Sequence, residues 1–302
     1  MGIVNLFTGS SGLNTKVDAV RVPFSAETGI GDLAKAINVV HDDSGRLGRR
    51  SGYDQLFAGG FHSLYSNDEE CYVCEGTDLY RVGDDLSLSG VRSGLSGDVV
   101  DYADTPKGIL YTNGTQNGVL NEGISAPWPL STYVGPDTSR WLQAPPVGNH
   151  IEFFASRVFI AERDVLWWTE PNAYGLADMA RNWVKFPSRI RMVKSVGTGL
   201  FVSTESTTYF LSGLDPAEFT RKEVAEYPAL EYSDCPQLVE PQTFGLEGTE
   251  LLAVWASSEG IVLGLPQGGI INLTEDKVRI PAGFNFGSVL IADTNVISTF
   301  YY

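Results

Sequence analysis

Short apolar runs come in pairs along this chain, each pair joined by a turn of polar or glycine residues. Residues 71–74 and 79–82 flank Glu75, Gly76, Thr77 and Asp78. Residues 109–111 and 119–120 flank a stretch holding Asn113-Gly114 and Asn117-Gly118, the strongest short-range hairpin dipeptide. Residues 158–161 and 165–168, 200–203 and 208–211, and 252–255 and 261–263 repeat the pattern, and a further strand is predicted at 270–273 after Gly268-Gly269. With Glu75, Asn113, Glu162, Thr204 and Ser257 as turn markers, the spacings are 38, 49, 42 and 53 residues.

One hairpin with an apolar face cannot bury it alone, so a periodic series implies stacked or radial packing. Periods of ~40 to 50 residues are those of propeller blades. The expected fold is therefore all-β: a β-propeller of six blades, with five as the alternative, in one domain over residues 1–302. Five units are internal. The sixth is expected from a hairpin of residues 36–40 and 46–55, together with strands at 289–292 and 296–301, so that N- and C-terminal strands close the ring and leave no free sheet edge. A pair of β-sandwiches or a jelly roll is the competing architecture. Helical periodicity is weak; residues 30–36 and 173–184 are the best candidates, the second limited by Gly175 and Pro187. Residues 1–14, with Gly9-Ser10-Ser11-Gly12, read as a flexible N-terminal arm.

Charge narrows the function. The chain carries 21 Lys and Arg against 37 Asp and Glu, a net of −16, the wrong sign for wrapping nucleic acid or docking on anionic lipid. Residues 16–50 differ: Lys16, Arg21, Lys35, Arg46, Arg49 and Arg50 outnumber five acids, so the remainder holds −17. Arg46, Arg49 and Arg50 are the candidate contacts to another subunit or to passing DNA phosphate, since guanidinium pairs bidentately with carboxylate and phosphate. A plain solvated hairpin is the competing reading. Neither a signal peptide nor an apolar run of ~18 residues is present, so synthesis in the cytoplasm and no membrane partner are expected.

No residues combine into a catalytic or metal-binding set. Cys71 and Cys74 form the only CxxC, without the second pair that zinc requires. Residues three apart on a strand face opposite ways, so buried structural thiols are expected. Gly9-Ser10-Ser11-Gly12 is no nucleophile elbow, and no phosphate-cradling glycine loop occurs. Asp42-Asp43-Ser44-Gly45 and Asn67-Asp68-Glu69-Glu70 lack the alternating spacing of calcium ligands and read as solvated turns. Trp128, Trp141, Trp167, Trp168 and Trp255 stack on sugar in a carbohydrate-binding or glycoside-cleaving reading, and fill the core in the plainer one. Catalytic residues: none; metal: none; cofactors: none.

Residues 36–39 (Ala-Ile-Asn-Val), 43–46 (Asp-Ser-Gly-Arg) and 49–53 (Arg-Arg-Ser-Gly-Tyr) resemble the opening of a family of tailed-bacteriophage virion proteins, the stabilisation or tail nozzle proteins of the head-to-tail junction. Residues 157–161 with Trp167, Glu170 and Pro171, and residues 199–202 with 209–213, are similar to its middle blades. Residues 253–255, 260–261, 264–266 and 272–274 are similar to its last full blade. The resemblance runs over most of residues 13–280 and implies a non-enzymatic, structural tail protein. Copies of the chain would form a ring around the DNA path, contact neighbouring connector or adaptor and tail proteins, hold packaged DNA without sequence-specific binding and conduct it at ejection. An acidic lumen suits that task because it repels phosphate at short range.

Overall fold

The computed structural model describes residues 9–37, 39–41, 45–50, 54–129, 131, 139–281, 283–292 and 295–301. The N-terminal part holds β1 (Gly9–Leu13), β2 (Ile30–Leu33), β3 (Val39–His41) and β4 (Leu47–Arg49). A first four-stranded sheet follows, of β5 (Phe61–Ser66), β6 (Cys71–Glu75), β7 (Asp78–Val82) and β8 (Leu88–Arg92). The second is β9 (Asp101–Thr105), β10 (Gly108–Thr112), β11 (Asn117–Asn121) and β12 (Ile124–Ala126). After β13 (Leu142–Gln143), the third sheet is β14 (His150–Phe154), β15 (Arg157–Glu162), β16 (Val165–Trp168) and, beyond β17 (Ala177–Asp178), β18 (Trp183–Lys185). The fourth is β19 (Ile190–Val196), β20 (Gly199–Thr204), β21 (Thr208–Ser212) and β22 (Thr220–Ala225). The fifth is three-stranded: β23 (Ala253–Ser257), β24 (Gly260–Gly264) and β25 (Ile270–Asn272). A hairpin of β26 (Phe286–Ala292) and β27 (Asn295–Tyr301) ends the chain.

Each of the five sheets is an antiparallel meander in chain order, and each packs face to face on the next. Tyr72, Leu79, Ile109 and Tyr111 join the first to the second; Leu110, Val119, Ile151 and Val158 the second to the third. Phe159, Leu166, Leu200 and Leu211 join the third to the fourth, and Phe201, Phe210, Trp255 and Val262 the fourth to the fifth. A sheet with neighbours on both faces buries every side chain of its middle strands. Val158, Phe159, Ile160 and Ala161 of β15 are accordingly all buried, which is why these strands read as unbroken apolar runs.

Beside β23 the chain runs at 229–239 without regular strand geometry, yet the backbone N–H groups of Leu230, Cys235 and Val239 donate to Ala256, Val254 and Leu252 at 2.8–2.9 Å. This stretch occupies the flank of the fifth sheet that β5, β9, β14 and β19 occupy in the others. From it, Gln237 Nε2 reaches back to donate to the Ser66 carbonyl of β5 at 3.1 Å.

All five predicted hairpins are present, as β6–β7, β10–β11, β15–β16, β20–β21 and β23–β24. Three expectations are corrected. Within residues 30–36 the chain forms strand β2 at Ile30–Leu33 rather than a helix: Gly31 packs under Phe24, and the Asp32 side chain is bound by Asn14 and Lys277. The 173–184 stretch forms β17 and the start of β18, drawn out by pairing with β13 and β16. Gly9–Leu13, expected to lie in a flexible arm, pairs in parallel with β2 as β1. The terminal hairpins β3–β4 and β26–β27 are each two-stranded sheets of their own. No helix among the described residues is long and apolar enough to cross a membrane.

Candidate functional site

The first strands of adjacent sheets face one another, β9 against β14 and β14 against β19, and they bring buried charges together. Lys194, midway along β19, is 5% exposed. Its Nζ donates to the Pro236 carbonyl at 2.8 Å and lies 3.4 Å from Glu152 Oε2 and 3.9 Å from Asp234 Oδ2. Ser195 Oγ donates to the other Glu152 oxygen at 2.8 Å. His150, at the start of β14, lies between two carboxylates: Nδ1 is 3.5 Å from Asp101 Oδ2, and Nε2 is 3.4 Å from Glu231 Oε1. Its ring packs 4.7 Å from that of Tyr232. Asp101 also accepts from the Ile151 N–H at 3.0 Å, and Arg189 donates to Glu231.

Burial opposes charge on every member, and the partners decide the outcome. At His150 burial disfavours the imidazolium, but Asp101 and Glu231 overcome it and push the group up to about 9. At Lys194 burial likewise opposes the charge, and Glu152 and Asp234 restore it and raise the group. Burial raises Glu152 against the pull of Lys194 and Ser195, and pushes Asp234 up to about 7. Three cations (His150, Lys194, Arg189) thus face four acids (Asp101, Glu152, Glu231, Asp234), with Asp234 readily protonated. The set neutralises itself.

A second network lies on the outer part of the third sheet. Arg140 donates to Glu170 and, at 3.2 Å, to Asp178, while Asn182 Nδ2 donates to the same Glu170 oxygen at 2.8 Å. These contacts tie the β13 strap to β17. Nearby the Trp167 and Trp183 rings pair at 6.3 Å.

The residues singled out from sequence lie elsewhere. Arg46, Arg49 and Arg50 are exposed and flank or end β4, with Arg49 opposite Val39; nothing brings them to the central charges. Cys74 is buried and its thiol is pushed up to about 11 by that burial, while Cys71 is half-buried. Among the described residues no His, Cys, Asp and Glu converge as metal ligands. Asn67 Oδ1 accepts from the N–H groups of Glu69 and Glu70, which makes that segment an ordinary turn; Asp42, Asp43 and Ser44 lie outside the described residues. Trp128, Trp168 and Trp255 are buried, whereas Trp141 is 57% and Trp183 43% exposed. Sequence reasoning missed the central charges altogether. The available signal was a lysine flanked by apolar Met192, Val193 and Val196 in a first strand that also carries Arg191.

No protein-family model and no curated protein sequence matches the chain. Among solved structures it is similar to BBS1N in complex with ARL6DN, at 11% identity and a TM-score of 0.51, over 87% of this chain and 83% of that one. It is also similar to virginiamycin B lyase from Staphylococcus aureus (12% identity, TM-score 0.47, 95% and 94% covered) and to the Pan2 WD40 domain of Neurospora crassa (10%, 0.48, 78% and 69%). The fold is a β-propeller. The buried charges come from β9, β14 and β19, the first strands of three adjacent sheets, and from the 229–239 stretch.

Proposed function

We propose that this propeller is a non-enzymatic structural protein of a phage tail, a nozzle or head-to-tail connector component. In this reading copies assemble into a ring around the DNA path, retain packaged DNA and conduct it at ejection. The propeller itself closes with five blades. The 229–239 stretch serves as the innermost strand of the fifth, and Gln237 meets Ser66 where that blade comes round to the first.

The observation that carries the reading is the division of charge. Residues 16–50 carry one more basic than acidic residue, with Arg46, Arg49 and Arg50 exposed, while the rest of the chain holds −17. A head-to-tail contact between copies pairs the two. The centre of each propeller is filled by ion-paired side chains, so DNA passes between copies and not through one, along an acidic wall that does not hold phosphate. The resemblance in the 36–53 region and in the middle blades supports the same assignment.

The test is the mass in solution by light scattering, for the protein alone and mixed with the neighbouring virion proteins. An assembly of several copies in either condition supports the reading; a 32.8 kDa monomer in both overturns it. One observation favours a second reading, a glycan-binding propeller: Trp141 and Trp183 stay exposed, with the Trp167 ring tilted against the latter at 6.3 Å. Glycan-array binding that is lost in Trp183→Ala would favour it.

A further inference from the structure

Lys194 brings a primary amine to two carboxyl groups from different elements, Glu152 of β14 at 3.4 Å and Asp234 of the 229–239 stretch at 3.9 Å. The three side chains are only 6%, 13% and 14% exposed. The amine has a further anchor in the Pro236 carbonyl at 2.8 Å, two residues beyond Asp234 on the same stretch. Lys194 itself is fixed within β19, where it pairs with Phe201 of β20. Asp234 is fixed from both sides: the Cys235 N–H donates to the Val254 carbonyl at 2.8 Å, and Ser233 Oγ donates to that of Ala256 at 2.8 Å, both on β23.

The two carboxyl groups are not equivalent. Ser195 Oγ donates to Glu152 Oε1 at 2.8 Å, a bond that favours the carboxylate. Among the described residues no hydrogen-bond donor closes on the Asp234 carboxyl, from which Lys194 stands off at 3.9 Å. Burial pushes Asp234 up to about 7 against the pull of Lys194 and His150, with Asp101 and Glu152 adding to the rise, so the neutral acid is populated there. A neutral carboxyl accepts a nucleophile, whereas a carboxylate resists one. Glu152, itself raised by burial, is a stronger base than an ordinary glutamate and is the carboxylate nearer to the ammonium.

We propose that Lys194 and Asp234 condense into an intramolecular amide, with Glu152 as the base, so that the fourth sheet is joined covalently to the stretch beside β23. Glu152 takes a proton from the Lys194 ammonium, the freed Nζ lone pair adds to Asp234 Cγ, and the bond from Cγ to the hydroxyl breaks, the hydroxyl leaving as water. Of the three ammonium protons one stays on the amide nitrogen, one leaves in the water and one remains on Glu152. Nothing is oxidised or reduced, and no further reactant is consumed. Two features of the site favour the bond. Groups fixed by one folded chain meet at a high effective concentration, and the product replaces a buried ammonium, costly to hold out of water, by a neutral amide. The bond is independent of the assembly reading above.

Mass spectrometry of the purified full chain tests the idea. The denatured wild type is expected one water below the mass of its sequence, and trypsin should leave Lys194 uncut and release residues 192–221 joined to residues 223–277 through Lys194 and Asp234. Glu152→Gln keeps both reacting groups and removes the base, so it is expected at its full sequence mass. Asp234→Asn is close in shape and should lose one ammonia in place of one water, which keeps the test open should Glu152→Gln fail to fold; circular dichroism certifies each variant. A folded wild type at its full mass, with Lys194 cut by trypsin, overturns the proposal. So does a loss of water whose linked peptide carries Glu152 or another carboxyl in place of Asp234. Undiminished linkage in folded Glu152→Gln overturns the role given to that base.

Discussion

Lys194 and Glu152 meet at 3.4 Å from the first strands of two adjacent sheets. Neither charge is favourable there without the other, because taking one ion out of water costs several kcal/mol. Lys194→Met is expected to destabilise the protein by about 3–5 kcal/mol, since it strands Glu152 and Asp234. Adding Glu152→Gln should recover part of that loss. Urea unfolding of the two variants checks both the loss and the recovery; equal stability of Lys194→Met and wild type contradicts the pairing.

His150 makes stability depend on pH. Its folded value of about 9 lies above the ordinary 6.5, so the folded state binds the proton more tightly than the unfolded state. The stabilisation is complete below pH 6.5 and is lost as pH rises through about 9, by up to about 3 kcal/mol. Asp234, raised to about 7 by burial, adds a loss of the same sign between about pH 4 and 7. Calorimetry from pH 6 to 10 should show a falling melting temperature, and His150→Gln should flatten the upper part of that fall.

Gly264 allows two aromatic rings to meet between the fourth and fifth sheets. A Cβ there would lie 2.5 Å from Phe201 and 2.6 Å from Trp255, whose rings pack 5.1 Å apart. Gly264→Ala is expected to cost about 1–3 kcal/mol through overpacking, read by denaturant unfolding. Gly90, on β8 with nothing near its Cβ position, is the control: Gly90→Ala should be close to neutral or slightly stabilising.

The thiols should react in order of exposure. Cys71 is half-buried, whereas Cys74 and Cys235 are buried, and burial raises both Cys71 and Cys74, keeping them as neutral thiols. One equivalent of an aromatic disulfide reagent is expected to react slowly with the native protein, and three after unfolding. Rapid titration of two thiols as a pair would instead mark the CxxC as a redox centre.

The middle strands were legible from sequence because sheets pack on both of their faces and force unbroken apolar runs, as in Val158 to Ala161. Of the outer strands only β25, expected at 270–273, was. Thr220–Ala225 is mostly exposed and carries no apolar signature, although it hydrogen-bonds to β21 along its length. The helical expectation at 30–36 failed for a related reason: Asp32 and Gly31 answer to Asn14, Lys277 and Phe24, none of them local to the segment.

The amino-acid order alone therefore determined the all-β class, the five hairpins with their turns, and the acidic balance of the chain, because each rests on local backbone preference or on composition. Tertiary structure alone decided that Asp101, His150, Glu152, Lys194, Glu231 and Asp234 share one buried centre, and that the irregular 229–239 stretch takes the first-strand place beside β23. Those arrangements depend on which sheets stand side by side, and the burial energy that fixes this is spread over whole faces, with no short motif to announce it.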